Sequence, residues 1–210
     1  MHEIIGITIE YGHQSTDQTL LTRLIAASNV RTNELAGLLF YLLFVWYEVL
    51  IDLLAGSVLA LSGSHEQRRT LRLGYDQTAA VDELLRFLSP KVLAGPRFAV
   101  TDVKVGRHTI AAGQTALLCL ASANHDPDRF DRPDELDLTR PPKSHVALGH
   151  GTHACVGAAL VRPIAAAVLR QLYTRWPGLR AIDPEDAIAW RSGFRHRGPL
   201  ALPVELDETS

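Results

Sequence analysis

Leucines and isoleucine recur at helical spacing in QTLLTRLIAAS, residues 18–28, and predict a helix there. The pattern breaks over 29–33, where Thr32 or Asn33 is placed to cap a second helix starting near Glu34. From Leu35 to Leu61 the only charged residues are Glu48 and Asp52, so this helix is apolar almost all round and calls for cover on both sides. It is long enough to span a bilayer, yet a carboxylate at its centre would cost at least ~2.5 kcal/mol in hydrocarbon, which favours a buried helix over a membrane span. Residues 1–18 mix β-branched and polar positions and read as a short strand followed by a turn. After the polar run 63–77, the amphipathic AAVDELLRFLSP predicts a third helix that stops at Pro90.

Between Val92 and Leu120 the period changes to alternation. Val103 and Val105, a turn at Gly106, then Thr109 and Ile110 predict a β-hairpin, with a further turn at Gly113. Residues 124–144 are rich in Asp, Pro and Arg and too long for a simple connector, so they are expected to pack as an irregular loop. A helical pattern returns from Val156 to Trp176, interrupted by Pro163, and the tail WRSGFRHRGPLALPVEL reads as short strands and turns. The fold class is therefore mainly α with a small β-hairpin sheet.

Composition narrows the function. Of 210 residues 47% are apolar and 21% charged, and the formal net charge of −2 gives no electrostatic reason to expect nucleic acid or an anionic membrane surface as partner. Cys119 and Cys155 form no CxxC spacing, so neither a disulfide framework nor a paired-cysteine zinc ribbon is indicated, and a cytoplasmic location fits. The N-terminus MHEIIGITIEYGHQ lacks the basic start and unbroken apolar core of a signal peptide.

The candidate chemistry lies in HVALGHGTHACVGAALVR, residues 145–162, where Gly149, Gly151 and Gly157 frame Cys155 just ahead of a helix. Glycines there permit positive φ and close approach of the backbone to a flat ligand. A thiol so placed faces the positive end of the helix, a setting that favours the thiolate, the form that binds metal. His145, His150, His153 and Cys155 are also chemically suited to zinc, although zinc would need no such array of glycines.

This segment resembles the haem-binding loop of the cytochrome P-450 family, through His145, Gly149, His150, Gly151, His153, Cys155, Gly157, Leu160 and Arg162. The likeness continues through an apolar distal helix with an acid at Glu48, the Glu83-x-x-Arg86 pair, Arg97, ASANHDP at 121–127 and the WRSGFRHRGP tail, covering roughly residues 18–205. It implies the C-terminal half of the cytochrome P-450 fold, as one truncated domain over 18–210 behind an N-terminal segment, 1–17, of open role. It also implies haem b with Cys155 as the axial metal ligand, and Arg97, His145 and His153 toward the haem propionates, with Gly149 and Gly157 shaping the loop. The implied activity is oxidation of an apolar small molecule, with oxygen and a ferredoxin-type electron donor or with peroxide.

Three departures modify that expectation. The matching part is about half of a family chain, so the distal helix is expected to need a second copy or a partner protein to cover it. Where relatives carry a small-residue pair, an acid and a threonine, this chain has Val45, Trp46, Tyr47, Glu48, Val49 and Leu50. Trp46 brings ~200 Å² of side chain and Val49 lacks a hydroxyl, so the usual proton relay should be impaired, leaving Glu48, Trp46 and Tyr47 as the candidate catalytic group. A non-redox cyclase, isomerase or dehydratase, or a non-catalytic accessory half-molecule, are the alternatives. Finally, an arginine expected to lock Glu83 and Arg86 is Glu135 here, with Arg132 or Arg140 available to substitute.

Overall fold

The computed structural model describes residues 2–27, 31–74, 76–182 and 185–206. The chain divides into two compact units, Met1–Glu48 and Val49–Ser210, described separately below.

In the first unit, α1 (His2–Gln14), α2 (Leu20–Ala26) and α3 (Thr32–Phe40) are followed by a π-helical segment, Tyr41–Trp46. The strand expected at the N-terminus is a helix instead. Ile5 and Ile9, four residues apart, are buried with Leu35 and Leu39, and this packing outweighs the β-preference of the isoleucines. Thr19 caps α2 by accepting from the Thr22 backbone N–H at 3.2 Å. The expected break before α3 lies partly outside the described residues. Its cap is Arg31 rather than Thr32 or Asn33: the Glu34 carboxylate accepts from the Arg31 backbone N–H and from its Nε, both at 3.0 Å.

The second unit begins within α4 (Tyr47–Ser62) and continues through α5 (His65–Arg72) and α6 (Gln77–Leu88). The paired strands follow: β1 (Arg97–Phe98), β2 (Val103–Val105), β3 (His108–Ile110) and β4 (Thr115–Ala116). Then come α7 (Leu120–Asn124), the irregular loop, α8 (Ala158–Arg175), β5 (Arg180–Ala181) and β6 (Val204–Glu205). The predicted hairpin is present, with Val103 opposite Ile110 and Gly106 at φ 57° in its turn. Two further antiparallel pairs, β1 with β4 and β5 with β6, replace the single sheet expected. Helix α5 lay hidden in a polar run because only Thr70 and Leu71 are buried, while Ser64 caps it and Arg68 donates to the terminal carbonyls of Leu61 and Ser62 in α4.

The core of this unit joins Leu53 and Leu61 of α4, Leu71 of α5, Val81, Leu84 and Leu85 of α6, and Ala165, Leu169 and Tyr173 of α8, all essentially inaccessible. Tyr173 is buried enough that its hydroxyl is held well above the usual phenol range. The run Thr32–Ser62 is long and apolar enough by composition to cross a membrane, and only 22% of its most apolar stretch is buried. All-round cover thus falls short: Leu53 and Leu61 are sealed, whereas Phe40, Leu43 and Tyr47 are exposed.

The tail closes on α4 at one tight point. A Cβ on Gly198 would stand 2.0 Å from Asp52 Oδ1, and Asp52 is a buried carboxylate that accepts from Arg191 Nη2 at 3.3 Å. Gly198→Ala must push Asp52 aside, and should lower stability by roughly 1–3 kcal/mol; thermal unfolding followed by circular dichroism checks this, and an unchanged midpoint would show the site to be slack.

Candidate functional site

Glu83, facing inward from α6, is buried and cannot remain charged there without partners. Arg86, one turn on, donates from Nε to Glu83 Oε2 at 2.8 Å and from Nη2 to Oε1 at 2.9 Å. Arg140 brings a second guanidinium from the irregular loop, its Nε donating to Glu83 Oε1 at 3.0 Å. Arg140 therefore takes the place of the arginine that Glu135 displaces. The Glu135 carboxylate pairs with Arg132 at 2.8 Å.

Both arginines also organise the loop. Arg86 donates to the carbonyls of Asn124 (2.9 Å), Pro133 (2.7 Å) and Glu135 (3.3 Å). Arg140 donates to those of Asp131, Arg132 and Glu135. Several carbonyls of a segment without helix or strand pairing thus find donors in two side chains.

Helix α6 ends on Ser89, in the left-handed conformation at φ 41°. The Ser89 hydroxyl donates to the Arg86 carbonyl and accepts from Asn124 Nδ2, both at 2.9 Å, and Asn124 Oδ1 accepts from the Val146 backbone N–H at 2.8 Å. Asn124 is fully buried and bridges α6 to the start of the cysteine loop. Asp82, adjacent to Glu83, makes a second bridge. Its Oδ1 lies 3.1 Å from His145 Nε2 and accepts from Arg162 Nε at 2.7 Å, so it ties α6 to both sides of Cys155. Burial works against ionisation of Asp82, but the hydrogen bonds from His145 and Arg162 outweigh it and hold the carboxyl below its ordinary value of 3.8.

Between these anchors the loop runs through two left-handed glycines, Gly149 at φ 74° and Gly151 at φ 76°. A Cβ on Gly151 would enter open space, whereas one on Gly149 would lie 3.6 Å from the Ala154 Cα. The Cys155 backbone N–H donates to the Leu148 carbonyl at 2.8 Å, and its carbonyl accepts from Ala158 as α8 starts, with buried Gly157 in the N-cap position. Cys155 is a free, half-buried thiol at the head of an 18-residue helix, which continues through Pro163.

The remaining expected residues divide. Gly149, Gly157, Cys155 and His145 belong to one connected loop, although His145 has its ring turned to Asp82 and nearly buried. His153 is exposed in a short 3₁₀ turn, Gly151–His153. Arg97 is exposed on β1, its Nη1 donating to the Gly95 carbonyl. No group of three His, Cys, Asp or Glu side chains converges among the described residues, so the imidazoles and Cys155 do not assemble a zinc site. Trp46, Tyr47 and Glu48 belong to the first unit, where Trp46 ends the π segment and Glu48 stands in the first turn of α4. A cleft of about 810 Å³ is lined by Asp52, Gly56, Phe87, Ser89, His125 and Arg197 among others, and Cys155 is not in its wall. Asn124, Ser89 and Asp82 were missed because a buried asparagine, a serine beside a proline and an acid next to another acid look ordinary in a sequence.

The site is thus a free thiol presented from a turn of left-handed glycines, at the head of a long helix and backed by a buried Glu-Arg-Arg lock. The cytochrome P-450 family profile matches residues 77–174. The chain is 35% identical to mycinamicin IV hydroxylase/epoxidase of Micromonospora griseorubida, over 95% of its own length and 52% of the relative's. It is 33% identical to vitamin D(3) 25-hydroxylase of Pseudonocardia autotrophica, over 100% and 54% respectively. The ligand-free P-450 monooxygenase TamI superposes with a TM-score of 0.89 at 34% identity, covering 98% of this chain and 52% of that one. The chain belongs to the cytochrome P-450 family and has the fold of that family's C-terminal half. It spans about half the length of the curated relatives it matches.

Arg140→Leu leaves a buried carboxylate short of one cation and takes a donor from the carbonyls of Asp131, Arg132 and Glu135, and should cost roughly 3–5 kcal/mol in a denaturant titration. Arg140→Lys, which keeps the charge but not the fork, should recover only part of this. For Asp82 the sign is that of a carboxyl with a depressed folded-state pKa: its contribution is present above about pH 4 and lost as pH falls below its ordinary value of 3.8. Asp82→Asn should therefore flatten the decline of stability between about pH 5 and pH 2 while lowering stability at pH 7; a variant whose pH profile parallels wild type would contradict this.

Proposed function

We propose that this chain is a haem-thiolate, cytochrome P-450-like protein that oxidises an apolar small molecule, with Cys155 as the axial ligand to haem b. The observation that carries the reading is the glycine loop fixed at both sides of a half-buried free thiol, with Val146 tied to Asn124 and both His145 and Arg162 tied to Asp82. The donor set suits the group: a thiol for iron, and Arg97 and His153 as exposed cationic or hydrogen-bonding partners for its carboxylates. When bound, haem supplies an iron centre able to oxidise substrate with oxygen and two electrons, or with peroxide.

The residues of this chain have distinct parts in that reading. Gly149 and Gly151 let the backbone lie close to a flat ring system, Gly157 lets α8 start directly behind the thiol, and His145 holds the loop through Asp82 instead of reaching outward. Glu48, and beside it the Tyr47 hydroxyl, are the proton-carrying groups within Val45–Leu50. Glu48 gives up or receives a proton at its carboxylate oxygen, and Trp46 narrows the space beside it. The expected setting is cytoplasmic, with a ferredoxin-type donor where oxygen is the oxidant and with a homo-oligomer or a partner protein over the exposed apolar residues.

Trp46 and Val49 favour a second reading, in which the scaffold performs a cyclisation, isomerisation or dehydration with Glu48 as the acid or base. Glu48→Gln would abolish such turnover without altering haem absorption.

The test is the absorption spectrum of the purified protein after haem supplementation, reduced and exposed to carbon monoxide. A strongly red-shifted Soret band, lost in Cys155→Ala, is the expected result. Failure to take up haem, or a band indifferent to Cys155→Ala, would remove iron chemistry from this protein.

A further inference from the structure

The C-terminal tail runs antiparallel to the segment after α6. Lys91 bridges His196, the Val92 N–H donates to the Arg195 carbonyl at 2.9 Å, and the Arg197 N–H donates to the Pro90 carbonyl at 2.9 Å. This pairing sets Lys91 beside Arg195. A third cation joins them at Gly95, where a Cβ would stand 3.6 Å from Arg97 Nη1 and 3.8 Å from Arg195 Nη2.

The other tail arginines have acids. Arg191 donates to Asp52 at 3.3 Å, and Arg197 to Glu185 at 3.2 Å while stacking on Trp190. Arg195 has none: its Nε is buried without a partner, and among the described residues neither it nor Lys91 forms an ion pair. Like charges with buried polar atoms left together are unfavourable unless an anion completes them. The Lys91 amine records the crowding. Burial first, then repulsion from Arg195 and Arg97, hold it below its ordinary value of 10.5 while Cys155 pulls the other way.

We propose that Lys91 and Arg195 form a carboxylate-binding pair, so that the substrate is an apolar molecule bearing a carboxylate. This rests on the reading of Cys155 given above, and makes Lys91 and Arg195 specificity-determining residues that hold the acid end. The half-buried Val92 and Leu93 next to Lys91, and exposed Phe194 next to Arg195, offer apolar surface for the rest of the molecule. Arg97 is left for the cofactor. A carboxylate has two sources here, the substrate and the haem propionates, and the two make opposite demands on haem affinity.

Equilibrium dialysis with decanoate and with decanol, which share the apolar chain, separates them when run on the protein with and without haem. Wild type should hold decanoate at least roughly tenfold more tightly than decanol. Lys91→Leu and Arg195→Gln should each remove most of that preference, leave decanol binding unchanged and leave haem affinity within about twofold. Arg195→Lys should retain much of the preference, which excludes misfolding as the cause. Equal binding of decanoate and decanol, or loss of haem affinity in the Lys91 and Arg195 variants without a decanoate preference in wild type, would overturn the proposal. A preference that survives in protein unable to take up haem supports the carboxylate pair and defeats only the haem reading.

Discussion

A buried carboxylate governs the second unit. Two guanidiniums meet Glu83 in the interior, whereas a pair spaced as Glu83 and Arg86 are would contribute merely about 0.2–0.5 kcal/mol on an exposed helix. Removed from water, the same pair becomes an obligation. The cost of desolvating three charges is offset only if the remaining donors are used as well, and the carbonyls of the irregular loop are what use them. The loop is therefore shaped by the needs of Glu83 as much as by its own sequence.

From that centre, order passes to the thiol by two routes that start on neighbouring residues. Successive positions on a helix diverge by about 100°, so Glu83 addresses the loop while Asp82 addresses His145 and Arg162. The Ser89–Asn124–Val146 chain then fixes the entry to the cysteine turn. The cysteine turn is thus held from α6 on both sides. For the metal ligand proposed above such fixing matters, because a thiol free to swing would spend binding energy on being ordered.

What could be read from the sequence follows from where the signal lies. Helix α6, the hairpin around Gly106, the irregular loop and the helix behind Cys155 were legible because periodicity, turn residues and the glycine pattern are local. The N-terminal helix was not, since Ile5 and Ile9 declare a helical face only once Leu35 and Leu39 are opposite them. Helix α5 rests on its cap and on α4's carbonyls, so its apolar pattern is faint. At the site, Cys155 and its glycines announced themselves, and Arg140 could be named as a replacement for Glu135 but not chosen over Arg132. That choice depends on which guanidinium reaches Glu83 across the fold, and Arg132 is occupied by Glu135. Lys91 and Arg195 are 104 positions apart, and only the antiparallel pairing of the tail reveals that they share a place.

Of the two places where residues depart from family habit, Glu135 lies within the frame around Cys155, with Arg140 in the place of the displaced arginine. The other, Val45–Leu50, contributes none of the frame's hydrogen bonds among the described residues; they run between α6, Asn124, the irregular loop and the cysteine turn. The lack of a hydroxyl at Val49 therefore says nothing about the hydrogen bonds that hold the cysteine turn. In the reading proposed above, ligation would depend on buried charge and left-handed glycines in the second unit, whereas proton supply would depend on the side chains of Val45–Leu50. On that reading metal binding and turnover are free to part company in this chain.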